Sequence, residues 1–210
     1  ADDEGFAGGG GGAWVAPGNY TVTVSKRVDG KLTQLAGPQE FQVREVEPLS
    51  LPAPDRKLLA DFQKDLLKIQ RDLLAAQGVA NQIASNLEQM RQVLDQLPEA
   101  PAESREKVRK WITSHKETLR KLNGDSILRS RNENVPMSIA ERVGVAAGAS
   151  RTITNKPTGT QREQYAIARK ELDEVATTLR QRSEKDLREL EALLDKLGAP
   201  WTPGRLPPGK

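Results

Sequence analysis

The chain contains no cysteine, a single histidine (His115) and only 4% aromatic residues in 210. Without cysteine there is no disulfide framework, no thiol nucleophile and no Cys-ligated zinc. One histidine leaves no His-rich metal site, and as a general base it would need a carboxylate partner and a pocket of its own. No apolar run approaches the ~18 residues that a membrane span requires. The first residues carry neither an initiator Met nor the basic, apolar, small-residue order of a secretion signal. The five glycines Gly8 to Gly12 lack the lysine and following helix of a phosphate-binding loop. Nor does net charge point to a partner: the total of +3 combines −3 over the first 50 residues with +6 over the remaining 160. Basic and acidic residues alternate, without aromatic interleaving, so no nucleic-acid signature is present. No cofactor is implied.

What is present divides by composition. Residues 1–13 are glycine-rich and read as a flexible segment. Residues 14–47 alternate with period 2. Tyr20, Val22 and Val24 share one face of a strand, with Thr21 and Thr23 on the other. Asp29-Gly30 is a hairpin signal, Lys31 to Leu35 a short second strand, Gly37-Pro38 a second turn, and Phe41-Gln42-Val43 a third strand. Three strands are too few for an independent sandwich, so a partial sandwich of immunoglobulin or fibronectin type is expected, with its open edge covered by other polypeptide. Residues 48–54 form a stiff proline-rich linker.

From Asp55, an N-cap candidate, the pattern becomes helical. Leu59, Phe62, Leu66, Ile69, Leu73, Ala76, Ala80, Ile83, Leu87, Met90, Leu94 and Leu97 recur at alternating steps of three and four, the heptad rhythm of a helix packed along one face. A second helix spans 102–123, striped by Val108, Trp111, Ile112, His115, Leu119 and Leu122, with Gly124 at the C-cap. Residues 125–137 read as irregular. Ser138-Ile139-Ala140-Glu141 and Thr160-Gln161-Arg162-Glu163 are capping boxes that open a short helix and the last long one, on either side of a loop at 150–159. The last stripe runs Tyr165, Ala168, Leu172, Val175 and Leu179, then resumes at Leu187, Leu190, Leu194 and Leu197, a stutter with Ser183 on the stripe. Gly198 and Pro200 end it. The fold expected is mainly α: an elongated antiparallel helical bundle (55–198) with two long helices, a small β segment before it and an extended docking tail (199–210).

Few residues invite a functional reading. His115 lies on an apolar stripe and reads as a boundary residue satisfied by one hydrogen bond; Trp111 reads as core, and Trp201 as an anchor for the tail. The carboxylates of the last helix (Glu171, Asp173, Glu174, Glu184, Asp186, Glu189, Glu191) alternate with Arg169, Lys170, Arg180, Arg182, Lys185 and Arg188, the mark of a solvated, ion-paired face rather than of a glycosidase pair. Arg129, Arg131, Arg142 and Arg151 form a possible anion- or partner-binding patch. With Trp14, Trp201 and Arg205 they are the interaction candidates; no catalytic or metal-binding residue is assigned.

The run Pro17-Gly18-Asn19-Tyr20-Thr21-Val22-Thr23-Val24, with Asp29-Gly30 and Phe41-Gln42-Val43, resembles the terminal sandwich of exported bacterial proteins built on sortilin-like or sialidase-type (BNR-repeat) β-propellers, often labelled glycosyl hydrolases. The helical region is similar to their C-terminal bundle at Pro136 to Val143, at Pro157 to Tyr165 and in the closing Gly198 to Pro207. The resemblance implies export to the periplasm or beyond. It also implies a non-catalytic module that packs against the upstream propeller or a second subunit, and possible self-association. An alternative is a processed subunit of a glycoside- or peptide-cleaving hydrolase contributing to its cleft; an adaptor for an unrelated partner is a third reading.

Overall fold

The computed structural model describes residues 15, 17–44, 51–148 and 155–200. The glycine run, Trp14, the start of the linker, Arg151 and the tail from Trp201 through Arg205 lie outside the described residues. The described residues are mostly helical with one two-stranded antiparallel sheet, and the chain divides into two compact units, residues 1–67 with 147–158 and residues 68–146 with 159–210.

The sheet belongs to the first unit. Strands β1 (Gly18–Val28) and β2 (Lys31–Val43) are joined by Asp29-Gly30. Both turn residues have positive φ, 48° and 78°, the backbone of a type I′ turn whose twist matches that of the flanking strands. The expected third strand is not separate. Gly37-Pro38 does not turn the chain but lies within β2, where the register slips between Val22 and Ser25. Gly37 has φ 92°, and a Cβ there would stand 2.5 Å from the Val22 carbonyl oxygen. The glycine therefore makes a bulge that lets a 13-residue strand stay paired, not a corner. Tyr20 and Phe41 pair across the strands with ring centroids 6.0 Å apart.

Helix α1 (Ala53–Gln96) starts two residues before Asp55, so Asp55 sits in its first turn and does not cap it. Pro54 is tolerated there because the first-turn amides have no helical acceptor. Every apolar position of the stripe from Leu59 to Met90, and Leu94 beyond, is buried; Leu97 is half-buried. The segment 147–158 of the first unit brings Lys156 to within 3.9 Å of Asp55.

In the second unit α2 (Ala102–Asn123) folds back along α1. Arg105 donates to the Leu94 and Leu97 carbonyls, Arg109 pairs with Asp95, His115 meets Ala80, and Gln77 donates to Asn123. Arg105 thereby caps the C-terminal carbonyls of a helix with no basic residue in its own last turn. Helix α5 (Gly159–Gln181) and helix α6 (Leu187–Lys196) run back beside α2, with Arg182 at Ser114 and Lys107 at Glu189. Arg169 reaches Asp72. Since α2 is antiparallel to both neighbours, the two long helical runs point the same way. The α1 stripe from Ile69 onward and the stripe of α5 and α6, with Val108 and Leu122 of α2, share one apolar core.

Gly124, at φ 83°, ends α2 as expected. Residues 125–137 are not wholly irregular: Asp125 accepts from the Ile127 and Leu128 amides and opens the short helix α3 (Ser126–Ser130). The first capping box forms as read. Glu141 accepts from the Ser138 amide at 2.8 Å, and the Glu141 amide donates to the Ser138 hydroxyl at 3.3 Å, at the head of α4 (Ile139–Ala147). The second is displaced, because α5 begins at Gly159 and takes Thr160 inside its first turn. At the far end Gly198 (φ 62°) closes α6 with bonds from the Gly198 amide to Asp195 and from the Ala199 amide to Leu194. That Schellman pair buries Ala199, the first residue of the expected extended tail.

Candidate functional site

Continuing the three-and-four steps from Leu179 leads through 182 to positions 186, 189, 193 and 196, but the leucines stand one residue later, at 187, 190, 194 and 197. At about 100° per residue, a regular helix would swing these leucines off the core. The structure absorbs the extra residue in a π-helical turn, Arg182–Asp186, the usual form of a one-residue insertion in a helix. The residues that turn carries inward are charged. Arg182 and Asp186 are buried, whereas Ser183, the residue expected on the stripe, is exposed. Asp186 is thus an exception to the solvated face read for its neighbours.

Around this turn the core is polar. Arg182 Nη1 lies 3.2 Å from Asp186 Oδ2, a close ion pair whose atoms are not aligned as a hydrogen bond, and Nη2 donates to Ser114 Oγ at 3.2 Å. The guanidinium carbon is 5.8 Å from the centre of the Trp111 ring, and Lys107 Nζ is 5.1 Å from it. Trp111, read as core, is half-buried and held by these two cations. Lys107 also pairs with Glu189.

His115, one turn beyond Trp111, is 2% exposed, a core residue and not a boundary one. Its Nε2 lies 2.7 Å from the Ala80 carbonyl. A carbonyl only accepts, so Nε2 carries the proton and Nδ1 is bare. Nδ1 has no hydrogen-bond partner. Burial depresses the protonation of this ring; the bond to Ala80 opposes that and the charge of Arg182 adds to it.

Two of the arginines expected to gather in a patch are individually engaged. Arg129 pairs with Glu141 at 2.8 Å, and Arg142 with Glu171 at 3.2 Å while donating to Gln164. Arg131 is exposed and makes no ion pair among the described residues; Arg151, Trp14, Trp201 and Arg205 lie outside them. The Ser138 amide, its hydroxyl, Arg129 and Arg142 all hold Glu141 below the ordinary carboxylate range. Bonds from the Leu128 and Ile127 amides, with the charge of Arg120, do the same for Asp125. Gly124 completes this corner: a Cβ there would stand 2.5 Å from Arg129 Nη2. The arrangement locks the α2–α3–α4 connection together, with Arg129 and Arg142 already neutralised by carboxylates.

Four of the carboxylates named on the last helix are tied to cations, Glu171 to Arg142, Asp173 to Arg169, Asp186 to Arg182 and Glu189 to Lys107. Among the described residues no three His, Asp or Glu side chains are grouped to hold a metal ion, and no helix is long and apolar enough to cross a membrane. The buried His115, Arg182 and Asp186, with half-buried Trp111 and exposed Ser114 beside them, are the most unusual chemistry in the described fold. The extra residue ahead of Leu187 was visible in the spacing, but which side chains it would bury was not. Compared with known protein families, characterised proteins and solved structures, the chain matches none.

Proposed function

We propose that this chain is a non-catalytic structural and interaction module: an elongated antiparallel helical bundle with part of an immunoglobulin- or fibronectin-like sandwich before it. On this reading it is the C-terminal part of a larger exported protein of the sortilin-like or BNR-repeat β-propeller kind, working in the periplasm or outside the cell, and it holds that protein together. The observation that carries the reading is the hairpin. Val22, Val24, Val28, Leu32, Leu35 and Phe41 are each about half exposed or more, on two strands with no third beside them among the described residues. A lone hairpin is marginally stable in water, and an exposed row of apolar residues beside unpaired strand edges is the surface that a further strand or sheet covers.

The test is co-expression of the full chain with the polypeptide encoded immediately upstream of Ala1, read by size exclusion with light scattering. A complex that Val22→Asp with Phe41→Asp abolishes, while helical content is retained, is the expected result. A chain that stays monomeric and leaves the upstream polypeptide unbound rejects the proposal.

A further inference from the structure

His115 is enclosed by groups that accept its neutral form and offer nothing to its charged one. From α1 it meets the Ala80 carbonyl, and residues 73–87 of that helix contain no ionisable side chain. On α2 its neighbours one turn away, Trp111, Ile112, Thr118 and Leu119, are uncharged. From the π-helical turn it faces the field of Arg182, whose carboxylate partner Asp186 is already engaged. A proton added to Nδ1 would create a buried N–H without an acceptor and a second cation beside Arg182; both are costly in a dry interior.

We propose that His115 is an acid-sensitive latch of the helical unit: protonation of Nδ1 drives α2 away from α1 and the π-helical turn. The sign follows from linkage. The unfolded chain takes up the imidazole proton near the ordinary value of about 6.5, and the folded chain takes it up only at lower pH. Stability is therefore full above that value and is lost as pH falls below it, until the native ring also titrates. The carboxylates held low in the fold, Glu141 and Asp125, titrate in a separate and more acidic window.

Because His115 is the only histidine, its ring can be followed without assignment. The experiment is urea unfolding of the full chain by helical circular dichroism between pH 8 and pH 5, with imidazole ¹⁵N and ¹³C spectra of the folded protein. The folding equilibrium constant is expected to fall, by up to about tenfold per pH unit, below the ordinary imidazole range. His115→Gln should flatten that dependence, and the folded ring should stay neutral and protonated on Nε2 into the same range. Arg182→Met, which removes the adjacent cation and leaves Asp186, should raise the pH at which the folded ring titrates. If His115→Gln does not fold, the wild-type ring titration and the Arg182→Met shift still decide. A ring that titrates at its ordinary value in the folded chain, or a stability that is level across this pH range, overturns the latch.

Discussion

Leu87, Leu94, Ala80 and Leu122 in the helical unit are wholly withdrawn from water, whereas Val22, Val24, Leu32 and Leu35 of the hairpin keep roughly half their surface exposed. The two regions are not distinguished by the apolar character of these residues. They differ in what each element has to pack against. The stripes of α1, α2, α5 and α6 face one another, so each buried leucine adds about 1.5–3 kcal/mol of transfer free energy relative to exposure. The hairpin satisfies its inner ladder and one aromatic pair, and leaves its outer edges and most of its valines in solvent. The helical unit also contains something the hairpin does not: a charged turn inside its core, where Arg182 and Asp186 occupy places on an apolar stripe.

Three substitutions probe that contrast. The largest effect is expected at Asp186→Ala, which leaves Arg182 buried without its counter-charge; breaking a buried pair from one side costs about 3–5 kcal/mol. Urea unfolding measures it, and a change under about 1 kcal/mol would show that water reaches the π-helical turn in solution. Leu87→Ala opens a cavity at a fully buried position of the shared helical core, and a loss of about 2–4 kcal/mol in the same assay is expected. At the other end, Val22→Thr on the hairpin should shift unfolding by less than about 0.5 kcal/mol, as surface changes do. A loss there comparable to that of Leu87→Ala would mean that the hairpin face is covered in the free chain and would erase the difference between the regions.

Much of the fold was legible because helical periodicity is a local property. The bounds of α2, the stripe of α1, the Ser138–Glu141 box and the stop at Gly198 could be read from spacing and cap chemistry alone. The misreadings share a cause. Gly37-Pro38 has the composition of a turn, and only pairing with Val22 on the opposite strand makes it a bulge. Asp125 heads a helix of one turn, too short to show any period. Thr160 fits a capping box, yet the helix starts one residue earlier.

The candidate site divides in the same way. That the final leucines arrive one residue late is written in the order of residues 179–197, and so is the presence of a single histidine. Which residues the π-helical turn carries inward, and that His115 would meet a carbonyl on one side and an arginine on the other, depend on the register of three helices. The sequence determined the helical faces, most of their ends and the absence of thiol chemistry, since these follow from each residue's own backbone preference and from a count. Only the tertiary structure decided that a charged pair and an imidazole share the interior while the hairpin's valines face water. Burial is set by what another part of the chain brings into contact, and no local pattern specifies that.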